Sequence, residues 1–245
     1  MDDTLNAFIE KLEGVKTIND SRDVMTSALA ALGFDRFAYL SLHIPDADLA
    51  EPVLVHTYSD EWVDHYLDNN YAAIDPVVET GLKSVVPFVW GGERHRKVLD
   101  GASKAMMEEA HDIGISCGLT VPIHGARGEL GALTVALPGD VKNPFRFLNR
   151  YRHEIHLLGL YFHANMGEKI LTEGTAHRLH LSQREQECLT WASQGKTAWE
   201  TSEILMISEN TVRDYIKSAC KKLGVYSKNH AIVKAMLLGL IRPNI

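Results

Sequence analysis

The segment LSQREQECLTWASQGKTAWETSEILMISENTVRDYIKSACKKLGV, Leu181 to Val225, leaves the chain little choice of local structure. Ser182-Gln-Arg-Glu185 reads as a capping box, in which the hydroxyl accepts from the N–H three residues on and the carboxylate reaches back. The helix it opens ends at Gly195, which can take positive φ. Thr197-Ala-Trp-Glu200 is a second box, opening WETSEILM. Ile207-Ser208-Glu209 is a tight turn, and Ser208 caps a helix running to Gly224. A short helix, a turn of roughly three residues and a longer helix make a helix-turn-helix.

The longer helix has two faces. Val212, Tyr215, Ile216, Ala219 and Leu223 recur at three- and four-residue spacing and predict a buried stripe. Arg213, Lys217 and Lys221 fall four apart and predict an exposed cationic ridge with heads at ~6 Å intervals. A helix of that width fits the DNA major groove. Asn210 and Thr211, at the helix N-terminus, can donate to phosphate.

Charge supports an appended basic module. The chain carries −7 overall, yet Leu181–Ile245 holds nine Lys and Arg against six Asp and Glu, a balance of +3 that leaves −10 for the rest. Hydrophobic content of 45% with 23% charged residues is ordinary for a soluble globular protein. The acidic N-terminus lacks the order of a secretion signal, and no apolar run reaches membrane-spanning length. Cys117, Cys188 and Cys220 are odd in number and show no C-x-x-C spacing. A reducing cytoplasm is the expected location.

The first ~170 residues mix the two periodicities. LNAFIEKLEGV, DSRDVMTSALAALGF (entered through Asp20 or Ser21, stopped by Gly33), SDEWVDHYLDN (capped by Ser59 or Asp60), IDPVVETGLK and SKAMMEEAHDIG predict helices. RFAYLSLHI, EPVLVHTY and PFVW predict strands. SCGLTVPIHGARGELGALTVAL predicts a hairpin with a Gly125–Gly128 turn. A long amphipathic helix follows from Pro144. Helices and strands that do not alternate strictly predict an α+β fold, helices on an antiparallel sheet. The polar stretch Thr172–His180 is the expected domain boundary.

Aromatic and polar residues interleave in this part: Tyr58, Trp62, Tyr66, Tyr71, Asp75 and Trp90. Trp62 and Tyr66 share a helix face. They are either core aromatics needing one partner each or walls of a ligand site. Asp75 either caps the helix that starts at Pro76 or meets a ligand N–H.

The C-terminal motifs R-E-x-E-x-L, G-K-T, I-S-x-x-T-V and K-L-G-V resemble, in order and spacing, the DNA-binding domain of LuxR-type regulators. Trp62, Tyr66, Asp75, Pro76, Trp90 and Gly118 are similar to the six hallmark positions of the family's acyl-homoserine-lactone receptors. The resemblance implies an N-terminal α-β-α sandwich over residues 1–171 that binds the autoinducer. It also implies a linker at 172–180 and a four-helix DNA-binding domain at 181–245. Trp62 would then donate to the lactone carbonyl, Asp75 accept the amide N–H and Tyr58 bond the acyl amide oxygen. Tyr66 and Trp90 would wall the ring, and Thr134 would face the acyl group. Val77, Val78 and Leu119 are candidates for the tail-side wall.

On the DNA side the resemblance implies backbone contacts from Lys196, Thr197 and Thr211, and base contacts from Arg213 and Lys217. The implied function is a quorum-sensing transcriptional regulator that binds an N-acyl-homoserine lactone and, as a homodimer, a palindromic promoter site. Dimer contacts would run through the long helix and through Ile232, Ala235, Met236 and Gly239. The implied partners are double-stranded DNA, the autoinducer, a second copy and RNA polymerase, with no cofactor and no membrane. The alternative is a regulator that needs no ligand or reads an aryl or plant-derived signal.

Two other signals are set aside. Gly114-Ile-Ser-Cys-Gly118 matches G-x-S-x-G, but a helix precedes it and a strand follows, the reverse of a nucleophile elbow. Ser116 is therefore not expected to be catalytic, and the chain is not expected to be an enzyme. Of the twelve histidines, His153, His156 and His163 on the long helix and His177 and His180 beyond it lack metal-site spacing. They are expected on a solvated or dimer-facing surface.

Overall fold

A computed structural model describes residues 2–44, 47–48, 52–92, 99, 101–125, 128–137, 141–172, 177–178 and 180–242. The chain divides into two compact units: residues 1–42, 51–124 and 130–173, and residues 43–50, 125–129 and 174–245.

The first unit is built on a five-stranded sheet of order β3-β1-β6-β5-β4, from β1 (Arg36–His43), β3 (Val53–His56), β4 (Phe88–Gly91), β5 (Cys117–His124) and β6 (Leu130–Ala136). The pairs β1/β3, β4/β5 and β5/β6 are antiparallel. Alternation along β5 and β6 separates two faces. On one face, Val121 and Leu133 lie under Gly159 of α6 (Pro144–Thr172). That helix also packs on α1 (Asp2–Gly14) and α2 (Ile18–Ala31). Met25, Leu29, Phe34, Phe37, Tyr39, Leu148, Ile155 and Phe162 are fully buried. Tyr39 and Phe162 meet edge to face at 5.1 Å. On the other face sit α3 (Asp60–Asp68), a 3-10 turn (Tyr71–Ala73), α4 (Pro76–Lys83) and α5 (Gly101–Asp112). Helix, sheet and helix layers make the expected α-β-α sandwich.

Local chemistry sets the element ends. Ser59 caps α3 and Asp75 caps α4. Gly33 and Gly114, past the ends of α2 and α5, take φ of +88° and +85°, which a side chain would strain. The entry to α2 differs from expectation: Thr17 is the cap, and Asp20 is the residue that reaches back to the Thr17 N–H at 3.1 Å. His163 also departs from it. The ring is buried within α6, and its Nδ1 lies 2.8 Å from the Tyr39 hydroxyl, because a polar ring facing the sheet needs a partner there.

The second unit contains α7 (Gln183–Ser193), α8 (Ala198–Leu205), α9 (Glu209–Lys222) and α10 (Lys228–Leu237). Both capping boxes form, Ser182 with Glu185 and Thr197 with Glu200, and Ser208 caps α9. Gly195 takes φ +84°, and Met206 ends α8 at φ +55°. The core is Leu181, Leu189, Ala219, Leu223, Val225, Ala231, Ala235, Leu238, Leu240 and Ile241. Of the stripe read from spacing, Ala235 belongs to that core and Ile232 packs against it, while Met236 stays exposed beside Val233 and Leu237. A two-residue ladder pairs β2 (Ala47–Asp48) with β7 (His177–Arg178). Nothing in the polar stretch around His177 signalled it.

Candidate functional site

Two sites emerge, one in each unit. In the first, Trp90 is buried with Val77, Met106, Met107, Ala110, Ile115 and Ala136. Tyr58, Trp62, Tyr66, Tyr71, Ile74, Phe88 and Leu99 are half-buried against that cluster. Trp62 and Tyr66 sit one turn apart on α3, their ring centroids 6.2 Å apart, and Tyr71 meets Tyr66 edge to face at 5.8 Å.

Asp75 enters this cluster through both carboxylate oxygens. Oδ1 accepts from the Val77 N–H at 2.7 Å, and Oδ2 accepts from the Tyr66 hydroxyl at 2.8 Å. The cap does not by itself exclude the ligand reading of Asp75, since a carboxylate has about four lone-pair directions and the Val77 N–H and the Tyr66 hydroxyl take two. Burial, and after it the Asp75 charge, pushes the Tyr66 phenol far above its usual range. Burial does the same to Tyr58. Both phenols therefore stay protonated and act as donors at any physiological pH. Among the described residues, neither the Trp62 indole N–H nor the Tyr58 hydroxyl has a hydrogen-bond partner.

Thr134 connects by a route the sequence reading missed. Trp90 Nε1–H donates to Thr120 Oγ1 at 3.0 Å, and Thr120 Oγ1 lies 2.9 Å from Thr134 Oγ1. Thr120 and Thr134 are cross-strand partners in the β5/β6 hairpin, so counting back from the glycine turn finds the pair. Gly118, opposite Ala136, leaves room for the Trp90 ring: a Cβ there would come within 2.4 Å of Trp90 Cζ2. Val77 and Val78 follow Asp75 and Pro76 in the first turn of α4, and Val77 is buried in this cluster. Leu119 alternates to the α6 face, so it does not line this site.

The segment from α3 to Asp75 is tied to α5 by polar contacts. Glu109 Oε2 accepts from the Tyr71 hydroxyl at 2.7 Å and lies 2.9 Å from His65 Nε2. Ser103 Oγ donates to the Ile74 carbonyl at 2.8 Å. The bonds from Tyr71 and then His65 hold the Glu109 carboxyl below its usual range. The arrangement offers donors, one acceptor and aromatic walls, which suits a small neutral molecule with a few polar atoms.

In the second unit, Lys196, Thr197, Arg213 and Lys217 line one open cleft of about 520 Å³. Ala198, Thr201, Ile216, Cys220, Tyr226 and Lys228 complete it. Tyr226, wholly exposed, and Lys228 were not picked out from sequence. Thr211 lies outside this lining, its hydroxyl 2.7 Å from that of the Ser208 cap. Arg213, Lys217 and Lys221 are all exposed, and Val212, Ala219 and Leu223 buried, with Tyr215 and Ile216 half-buried. Two of the cations carry acid partners one turn away, Arg213 with Glu209 and Lys196 with Glu200. The helix bearing the ridge is clamped from below. Buried Glu185 accepts from Lys222 Nζ and Ser218 Oγ, each at 2.7 Å, as well as from the Ser182 N–H.

Ser116 lies between α5 and β5, and its carbonyl accepts from the Gly92 N–H at 3.3 Å. Among the described residues no group of His, Cys, Asp and Glu could hold a metal ion, and no helix is long and apolar enough to cross a membrane.

Residues 17–166 match the family described as Autoinducer binding domain, and residues 179–235 match Bacterial regulatory proteins, luxR family. The transcriptional activator protein BjaR1 of Bradyrhizobium diazoefficiens is 32% identical, over 96% of this chain and 95% of its own. The quorum sensing-dependent transcriptional regulator RpaR of Rhodopseudomonas palustris is also 32% identical, over 96% and 92%. Among solved structures, Escherichia coli SdiA superposes with a TM-score of 0.80 over 96% of this chain and 97% of that one, at 21% identity.

Proposed function

Because the chain belongs to the LuxR family of autoinducer-binding transcriptional regulators, we propose that its signal is an N-acyl-homoserine lactone and that it binds a palindromic promoter site as a homodimer. It is a regulator, not an enzyme. One observation carries the choice of signal. Asp75, an acceptor, shares an aromatic, largely apolar cluster with the Trp62 indole N–H and the Tyr58 hydroxyl, two donors without a partner among the described residues. A lactone amide has the complementary set: two carbonyl acceptors and one N–H. Trp62 takes the lactone carbonyl, Tyr58 the amide oxygen and Asp75 the amide N–H. Tyr66 and Trp90 wall the ring, with Thr134 toward the acyl chain. Such a ligand needs few polar contacts provided water is excluded around them.

At the other end of the chain, Lys196, Thr197 and Thr211 hold phosphates while Arg213 and Lys217 face base edges. One helix-turn-helix reads few base pairs, so two half-sites about one helical turn apart supply the specificity. The exposed apolar residues Leu157, Leu160 and Tyr161 of α6 and Val233, Met236 and Leu237 of α10 are the surfaces offered to a second copy.

A thermal-shift panel of acyl- and aryl-homoserine lactones tests the signal, followed by promoter binding with and without each compound. Stabilisation by acyl lactones alone supports the proposal. Stabilisation by aryl lactones alone, or by none, overturns it in favour of a regulator reading another signal.

A further inference from the structure

The DNA-facing ridge contains an acid that its function would seem to forbid. Glu209 opens α9 one turn before Arg213, and its carboxylate is ion-paired with Arg213 Nη2 on an exposed surface. Against DNA this carboxylate is repelled by every phosphate, so for affinity alone the position would do better neutral. Its geometry serves something else. An arginine reads a base only when its planar fork is held at the correct angle, whereas a free arginine collapses onto the nearest phosphate. The Glu209 carboxylate accepts from one nitrogen of the Arg213 guanidinium, Nη2, and Arg213 lines the cleft shared with Lys217 and Lys196. Lys217 sits one turn on and exposed, without an acid partner among the described residues, as suits a cation reaching along the groove.

We infer that Glu209 is a positioning residue for sequence recognition: it restrains Arg213 for base readout and lowers binding to DNA of any sequence. This rests on the proposal above that Arg213 faces bases. The inference predicts opposite signs for two quantities. Loss of Glu209 should raise affinity for random duplex, because one repulsive charge disappears and Arg213 becomes free to meet a phosphate. It should lower discrimination at one base position, because the guanidinium is no longer held. A merely structural role at the start of α9 would lower both together.

The test uses the full chain. Selection from a random duplex pool first gives the preferred site of the wild type, and competition binding then gives the preference at each position. Glu209→Ala is expected to bind random duplex roughly two- to fivefold tighter, with a salt slope steeper by about one, the mark of an added phosphate contact. Discrimination at the Arg213 position should fall roughly five- to tenfold, within the range one bidentate contact supplies. Glu209→Gln, which loses the charge but keeps an acceptor, should share the gain in random binding and retain most of the discrimination. The double variant Glu209→Ala/Arg213→Ala should discriminate no worse than Arg213→Ala alone, because the glutamate acts through the arginine.

Weaker binding to both duplexes in Glu209→Ala, or unchanged discrimination, overturns the inference while leaving the DNA-reading proposal standing. If Arg213→Ala itself weakens all sequences equally, the arginine is a phosphate contact. The base-reading assignment then fails together with this inference.

Discussion

Asp75 carries a structural duty and, in the function proposed above, a binding one as well. Its Oδ1 caps α4 and its Oδ2 receives the Tyr66 hydroxyl. Asparagine caps a helix about as well as aspartate with its amide oxygen on the Val77 N–H, and its NH2 then meets the Tyr66 hydroxyl, which can turn to accept. Asp75→Asn should therefore leave the melting temperature of the unliganded protein nearly unchanged. A bond from a ligand N–H to a neutral oxygen is weaker than one to a carboxylate, so lactone affinity should fall about tenfold. Calorimetric titration beside a melting curve separates the two effects, and a large drop in stability with intact affinity would contradict this division. Glu185 behaves differently. Burial acts to raise its pKa, but the bonds from Lys222, Ser218 and the Ser182 N–H, with the Lys222 charge, overcome it and pull the value to about 2. The folded-state pKa lies below the unfolded one, so the stabilisation is fully present above about 4.5 and is lost as pH falls toward 2. Linkage sets an upper bound of about 3 kcal/mol on this contribution. Urea midpoints of the wild type should fall across that window. Those of Glu185→Gln should start lower and change less, and parallel curves would show that another carboxylate governs acid unfolding.

Secondary-structure ends were the readable part of this chain because their causes are three residues long. Ser182, Thr197 and Ser208 bond within their own first turns, so spacing alone exposes them. Thr197 also lies in the cationic cleft, which permits a test at the scale of α8, a helix of only eight residues. Thr197→Ala should remove the cap and destabilise the second unit by about 1 kcal/mol, whereas Thr197→Ser should keep the cap. If DNA binding falls only in the alanine variant, the hydroxyl matters through the helix start or the phosphate. If it falls in the serine variant too, at unchanged stability, the threonine methyl is in contact. What spacing could not show depends on partners far along the chain. Glu185 meets Ser218 and Lys222 more than thirty residues away, and Tyr39 reaches His163 across 124. Hairpin register placed Thr120 opposite Thr134, yet no local signal marks it as the acceptor for the Trp90 N–H. In the stripe of Ile232, Ala235, Met236 and Gly239, the first two turned inward while Met236 stayed exposed, since periodicity finds an apolar face but not what covers it. In the candidate ligand site, the aromatic interleaving left Tyr58, Trp62, Tyr66 and Trp90 as core or ligand walls; the family resemblance implied one site, and the structure brings them into one cluster. Asp75 could be placed from its proline neighbour. The contacts of Glu109, on α5, with Tyr71 and His65 could not.

At the scale of the molecule, the acidic portion and the basic C-terminal module are also two separate hydrophobic cores. The aromatic cluster around Trp90 lies wholly in the first unit, and the Leu181–Ile241 core wholly in the second. A ligand that binds the native first unit and not its unfolded chain stabilises that unit by mass action, about 2.7 kcal/mol at a hundred times Kd. It adds no contact to the second core. Scanning calorimetry without DNA should therefore show two transitions, of which acyl-homoserine lactone moves one upward in proportion to the logarithm of its concentration. Glu185→Gln should lower the other, which assigns each transition to its unit without cutting the chain. Promoter DNA should reverse the pattern, raising the transition that Glu185→Gln lowers. If lactone shifts both transitions equally in the absence of DNA, the units unfold as one cooperative body, and the signal reaches the DNA-binding helices through that shared stability. If it shifts one alone yet still alters promoter affinity, the coupling must run through the population of paired chains. The lactone response of DNA binding should then steepen as protein concentration falls below the dimer dissociation constant.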